Sequence, residues 1–156
     1  MRVRDVMTTN VRAARPDMTV REAATIMADQ GFSALPVVDD QQRLLGILTE
    51  LDIIQDCIPP YLQEQELDLD VLPPDYDVMA PMAARLGERR VSEVMTAEGL
   101  FTVEEDDAVI EVAVEMQRHG FTRVPVQREG RLVGIVTRSD IVRGLLHLDP
   151  PEGSTP

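Results

Sequence analysis

The chain has no tryptophan, and phenylalanine and tyrosine together bring its aromatic content to only 3%. A core without large rings must be built from aliphatic side chains and methionine, of which there are eight. A single cysteine, Cys57, excludes an internal disulfide and suits a reducing compartment, so a cytoplasmic protein is expected. With no histidine motif beside it, Cys57 reads as a small buried hydrophobe. Positive charge is scarce: 15 basic against 28 acidic side chains leave a net charge of −13. That field repels nucleic acid and anionic membranes, and no basic run offsets it, so neither is expected as a partner. No stretch approaches the length of a membrane span, and no apolar signal core opens the chain. A P-loop, G-x-G-x-x-G, H-E-x-x-H and G-x-S-x-G are all missing, which leaves no sequence-level case for an enzyme or an obligatory cofactor. The two histidines do not make a metal site either. His147 is far from His119, whose counterpart in the repeat described next is Gln30, and His119 is expected to cap a helix C-terminus.

What is present is a sentence written twice. Leu132-Val133-Gly134-Ile135-Val136-Thr137-Arg138-Ser139-Asp140-Ile141-Val142 repeats Leu44-Leu45-Gly46-Ile47-Leu48-Thr49-Glu50-Leu51-Asp52-Ile53-Ile54, 88 residues apart. Each begins as an apolar run suited to a buried strand. The mid-strand glycine marks a bulge or a close approach to the backbone. Each run ends on a threonine that can cap a following helix, with an aspartate at the third helical position. A strand feeding a helix N-terminus presents backbone N–H groups and a positive dipole end, which suits a phosphate.

The duplication extends outward. Val6-Met7-Thr8 and Val94-Met95-Thr96 open the two copies. Thr19 and Glu22 form a capping box ahead of the stripe Val20, Ala23, Ala24, Met27; Asp107 is the expected cap ahead of Val109, Val112, Ala113, Met116. Gly31 and Gly120 end these helices as left-handed caps. Strands follow at 34–38 and 123–126, each containing a proline that predicts an edge strand or a first-residue position. Each copy is therefore helix–strand–strand–helix, with a short leading strand around Val11 or Phe101. The expected division is a first unit over 1–58, a Pro-rich helical insertion over 59–90, a second unit over 91–148 and a disordered tail over 149–156. Within the insertion, the acidic patch from Glu64 to Asp70 reads as a solvated face. A helix is predicted between Asp75 and Leu86, interrupted at Pro81 and stopped by Gly87, with Met79, Met82 and Leu86 as a hydrophobic seal.

These motifs (V-M-T, G-F-[ST]-x-[LV]-P-V and G-h-h-T-x-x-D, in order and twice) resemble the cystathionine-β-synthase (CBS) domain, which usually occurs as a tandem pair called a Bateman module. The resemblance covers about three quarters of the chain and leaves out the insertion. It implies a mixed α/β (α+β) fold: two CBS units, each a three-stranded sheet with helices, related by a pseudo-two-fold and separated by a cleft. It also implies pairing into a homodimer and regulation of another, unidentified protein. The implied ligand is an adenosine compound: AMP, ADP, ATP or S-adenosylmethionine. On that resemblance Asp52 and Asp140 accept ribose hydroxyls, and Thr49 and Thr137 hold the phosphate end. Ala34, Leu35 and Pro36, and Arg123, Val124 and Pro125, border the adenine. Thr8 and Thr96 complete the expected ligand-binding set. The plain alternative for each Thr-x-x-Asp is a capping box contributing about 1 kcal/mol of helix stability. The corresponding alternative function is a structural homodimer that binds no ligand.

The two sites differ in charge. Arg138 follows Thr137, and Arg123 is expected near the same place; either guanidinium can bind phosphate bidentately. Glu50 and Ala34 stand at the equivalent positions of the other site. A carboxylate about 5 Å from a phosphate costs roughly 3 kcal/mol at an effective dielectric of 20. The Thr137/Asp140 site is thus expected to take AMP or a longer adenosine phosphate. The Thr49/Asp52 site is expected to be empty or to take a less anionic adenosyl ligand.

Overall fold

The computed structural model describes residues 1–63 and 77–148. The acidic patch 64–70, the expected helix start at Asp75 and the tail 149–156 lie outside the described residues. The elements are α1 (Val20–Gln30), β1 (Ala34–Val38), β2 (Leu44–Thr49), α2 (Glu50–Cys57), α3 (Pro60–Gln63), α4 (Met79–Gly87) and α5 (Val91–Val94). They continue with β3 (Val103–Glu104), α6 (Val109–His119), β4 (Arg123–Arg128), β5 (Arg131–Thr137) and α7 (Arg138–Leu145), and a 3-10 turn occupies Val3–Asp5. The fold is mixed α+β. Among the described residues, no helix is long and apolar enough to cross a membrane.

The chain divides into two compact units that are interleaved along the sequence. Unit 1 holds Met1–Ala13, Val38–Leu45 and the chain from Gly99 on; unit 2 holds Ala14–Val37 and Gly46–Glu98. The V-M-T signatures are thereby exchanged: Thr8 belongs with the second copy's sheet, and Thr96 with the first copy's.

Unit 1 is built on the sheet β3-β4-β5, with β3 parallel and β5 antiparallel to β4. Thr8 bridges to Ile135 on β5. The tip of the β1–β2 hairpin pairs with the start of β5, through Leu44 N–H to Gly130 O (3.1 Å) and Leu132 N–H to Gln42 O (2.9 Å). The core is aliphatic, as the missing rings require: Val3, Val103, Val109, Val112, Met116, Val124, Val126, Val136 and Ile141. In unit 2, β1 pairs with β2, Ala14 makes one parallel bridge to Val37, and Thr96 one antiparallel bridge to Ile47. Ala23, Met27, Leu35, Val37, Leu48 and Val91 fill its core.

Several expectations are corrected. The leading strand lies at Val103–Glu104, and in unit 2 it shrinks to the Ala14 bridge, so that sheet has two strands rather than three. Pro125 sits inside the central strand, not at an edge. The two-residue β3 partners Val126 and Gln127, so no ladder position faces the proline nitrogen. In β1 the Pro36 carbonyl still accepts from Ala14 N–H (2.8 Å), and only the missing donor goes unused. Helix α6 is not capped by Asp107. Its N-cap is Ala108, without a side-chain bond, while the Asp107 carboxylate accepts from Glu104 N–H (2.8 Å) one turn earlier. Pro81 does not interrupt α4, because it lies in the first turn, where its missing N–H has no intrahelical partner to lose. Of the expected seal, Leu86 is buried against Val20 and Cys57, but Met79 is exposed. Gly31 and Gly120 adopt the left-handed cap conformation as expected.

Candidate functional site

The mid-strand glycines explain the V-M-T signature. A Cβ on Gly134 would lie 2.8 Å from Met7 Sδ and 3.0 Å from Thr8 O; on Gly46 it would lie 2.8 Å from Met95 Sδ and 2.7 Å from Thr96 O. The signature crosses the strand face too closely for any side chain there. Thr8 and Ile135 exchange both backbone bonds (2.8 and 2.9 Å), and Thr96 and Ile47 do the same (2.9 and 2.9 Å).

Each strand then delivers its threonine to a helix start. In unit 1 the Asp140 carboxylate accepts from Thr137 N–H (2.8 Å) and from the Thr137 hydroxyl (2.7 Å), while Asp140 N–H donates to Thr137 Oγ1 (3.1 Å). Arg143 stands 3.8 Å from its other oxygen. In unit 2, Asp52 Oδ2 accepts from Thr49 N–H (2.9 Å) and Asp52 N–H donates to Thr49 Oγ1 (3.0 Å). There the second oxygen, Oδ1, accepts from the Thr96 hydroxyl (3.2 Å). Both motifs are thus complete capping boxes, and both carboxylates remain partly accessible.

The helix starts are less open to anions than the sequence implies. Arg138 N–H donates to Thr122 O (3.4 Å) and Glu50 N–H to Ser33 O (2.9 Å), so two of the first three N–H groups of each helix are committed.

The two arginines separate. Arg138 turns its guanidinium to the carbonyls of Phe121 (2.8 Å) and Met116 (3.4 Å), closing the C-terminal end of α6. A cation there complements the helix dipole, and this geometry leaves it on carbonyls rather than on a ligand phosphate. His119, expected in that capping role, instead pairs with Glu115 (3.2 Å) and stacks on Phe121. Arg123, on β4, is half-buried; burial pushes its guanidinium below its ordinary value, and the nearby Asp140 charge pulls it back up. Arg123 and Asp140 therefore share one locale, bordered by the buried Val124 and Pro125. In unit 2, Ala34, Leu35 and Pro36 are buried on β1, and Glu50 is exposed. Thr8 contributes its backbone to β5, and no hydrogen bond joins its hydroxyl to Asp140. Sequence reasoning missed Arg143; its position three residues after Asp140, on the same helix face, was the available signal.

The family model for the CBS domain matches residues 3–57 and 91–147. Hypoxic response protein 1 of Mycobacterium tuberculosis is 32% identical over 142 residues, covering 91% of this chain and 83% of that protein. Two other curated relatives are longer, and the chain spans 41% and 23% of their lengths. Among solved structures, the CBS domain pair of protein MJ0100 in complex with 5-methylthioadenosine and S-adenosyl-L-methionine superposes with TM-score 0.67 at 27% identity, covering 94% of this chain and 97% of that one. CBSX2 in complex with AMP superposes with TM-score 0.71 at 24% identity, covering 94% and 96%, and at that identity it speaks for the fold.

Proposed function

Because the chain belongs to the CBS-domain family, we propose that it is a non-catalytic regulatory module that binds an adenosine-containing ligand, with the Asp140 face of unit 1 as the principal site. The observation that carries this reading is that half-buried Arg123 stands opposite Thr137 in the β4–β5 ladder, the residue whose N–H and hydroxyl hold the Asp140 carboxylate. A carboxylate there accepts ribose hydroxyls, and a desolvated guanidinium beside it supplies the positive charge that a chain of net charge −13 otherwise withholds from a phosphate. The complex of the MJ0100 domain pair with two adenosyl compounds supports the same ligand class. Thr137 holds the carboxylate in place, and the backbone of the Arg123-Val124-Pro125 stretch borders the purine. AMP, ADP or ATP suits this site; the unit 2 site, with Ala34 in place of Arg123 and Glu50 after Thr49, suits an uncharged or cationic adenosyl group such as that of S-adenosylmethionine.

Thermal melting with AMP, ADP, ATP and S-adenosylmethionine tests the proposal. A ligand at a hundred times its dissociation constant adds about 2.7 kcal/mol of stability. Wild type is expected to be stabilised by at least one adenosine phosphate, and Arg123→Ala to lose most of that gain. No shift with any of the four overturns the reading.

A second reading, a structural homodimer that binds no ligand, is favoured by one observation. Ile110 on α6 and Val142 and Leu145 on α7 are exposed, and Val142 lines a groove of about 410 Å³ together with Ala113, Met116 and Ile141. Pairing of modules is compatible with both readings. A dimer in solution without any nucleotide-dependent stabilisation selects the second.

A further inference from the structure

The two signature threonines occupy equivalent places in the duplicated sequence but meet the site acids differently. Thr96 donates its hydroxyl hydrogen to Asp52 Oδ1 at 3.2 Å, whereas no such bond joins Thr8 to Asp140, whose hydroxyl donor is its own cap, Thr137, at 2.7 Å. In unit 1 both bonds from the cap fall on one oxygen, Oδ2. In unit 2 the cap reaches Oδ2 through its N–H alone, and the oxygen left over is the one that Thr96 takes. The hydroxyl arrives there because Thr96 is fixed on the edge of β2 by its two backbone bonds to Ile47.

We propose that Thr96 is a specificity-determining residue of the unit 2 site: its side chain is a built-in stand-in for a ligand hydroxyl and competes with a ligand hydroxyl for its position on Asp52 Oδ1. This deepens the adenosine reading above and rests on it. An ionised carboxylate accepts on about four lone-pair positions in all, two per oxygen. Thr96 occupies one of the two on Oδ1 and Thr49 N–H one of the two on Oδ2, which leaves one on each oxygen, so a ligand hydroxyl directed at the position Thr96 holds must displace it. The competing bond is intramolecular and is lost before the ligand's own bond is gained. The net worth of one hydrogen bond, about 0.5–1.5 kcal/mol, corresponds to a twofold to twelvefold reduction in affinity. Unit 2 is therefore weakened against a diol whose hydroxyl takes the position Thr96 holds on Oδ1, in addition to its disadvantage toward phosphates. Uncharged adenosine separates the two effects, since it carries the diol and no phosphate.

The test is a titration of the full chain with adenosine, followed through backbone amide resonances in the first turn of α2 (Leu51, Ile53) and, in the same sample, the first turn of α7 (Ser139, Ile141). Thr96→Val keeps the β-branched shape and removes the donor; Thr96→Ser restores the hydroxyl. Thr96→Val is expected to tighten binding at α2 by about twofold to twelvefold with binding at α7 unmoved, and Thr96→Ser to return α2 toward the wild-type value. Thermal melting of each variant verifies that it is folded. If adenosine binds wild type at either unit and Thr96→Val leaves α2 unchanged or weakens it, the competition is refuted, while the adenosine reading stands. If no variant shows a shift at either helix with adenosine or AMP, both fall together.

Discussion

Thr8 and Ile135 exchange a pair of backbone hydrogen bonds, 2.8 Å from Thr8 N–H to Ile135 O and 2.9 Å in return, across 127 positions of sequence. The residue beside this bridge is Gly134, and its bare Cα is what lets Met7 cross the sheet. The mirror relationship joins Thr96 to Ile47 beside Gly46. Each copy of the repeat thus contributes its opening segment to the other copy's sheet. Neither copy has a complete sheet edge by itself.

Gly134→Ala tests this crossing. The new methyl would stand 2.8 Å from Met7 Sδ, which can move, but also 3.0 Å from Thr8 O, which is held by the bridge. Overpacking of this kind typically costs about 1–3 kcal/mol. The melting temperature is expected to fall by several degrees, roughly 2–4 °C per kcal/mol at this size. Gly46→Ala meets a tighter backbone contact, 2.7 Å to Thr96 O, and is expected to cost at least as much. Unchanged melting of both variants would show that the signatures do not lie against the strands.

Arg138 and Arg123 make a second, opposed pair of predictions. Arg138 holds the carbonyls of Phe121 and Met116, so Arg138→Ala removes a charge-assisted closure of α6 and is expected to cost about 1–2 kcal/mol of stability. Its effect on AMP affinity is expected to stay within twofold. Arg123→Ala is expected to weaken AMP by tenfold or more while adenosine changes little, because the guanidinium acts on phosphate. Calorimetric titration of both ligands into both variants checks this. A loss of AMP binding confined to Arg138→Ala would give the phosphate role to Arg138 instead of Arg123, the two guanidiniums the sequence offers alike.

Much of this was legible in the residues. The T-x-x-E and T-x-x-D boxes, the i, i+3, i+7 burial of Val20, Ala23 and Met27, and the left-handed Gly31 and Gly120 all follow from local chemistry, and each is found in place. The family motifs located Asp52 and Asp140, the capping-box acids on which the proposed sites are built. What local chemistry could not reveal is pairing at long range. The exchange of signatures depends on which sheet edge is vacant, and Pro125 is tolerated in a central strand only because β3 is two residues long. The orientation of Arg138 was hidden for a similar reason: its acceptors, the carbonyls of Met116 in α6 and of Phe121 just past its end, lie 17 to 22 residues away. Spacing placed Arg138 beside Thr137 without saying which way its side chain turns.

Cys57 reports on the seating of α4. It is buried with Val20 and Leu86, and burial, reinforced by the Asp56 charge, raises its thiol above the ordinary cysteine range. The thiolate is the reactive form, so alkylation by iodoacetamide at neutral pH is expected to be slow in the native protein. Leu86→Ala removes the side chain that covers it, and is expected to speed labelling by tenfold or more and to cost about 2–3 kcal/mol, the low end for a buried leucine. Mass spectrometry of timed samples measures the first, and urea unfolding the second. Rapid labelling of the wild type would mean that α4 does not rest on α2 and α1.

Helix α6 offers the clearest route to a stabilised variant. Its partner in the repeat, α1, starts at Thr19, whose hydroxyl accepts from Glu22 N–H (3.2 Å) while the Glu22 carboxylate accepts from Thr19 N–H (2.8 Å). At the same place α6 has Ala108, already in the extended conformation an N-cap adopts (φ −75°, ψ 130°), with Glu111 three residues on. What is missing is the hydroxyl and the return bond from Ala108 N–H to the Glu111 carboxylate. Ala108→Thr would complete the box, and the usual alanine-to-cap difference predicts about 1 kcal/mol of added stability, or roughly 2–4 °C in melting temperature. Thr19→Ala is expected to lose a similar amount from α1, and the two changes, made on different helices without shared partners, should cancel when combined. Destabilisation by Ala108→Thr would mean that the bridge between Ala108 and Arg2 fixes the helix entry more strongly than the cap can adjust it.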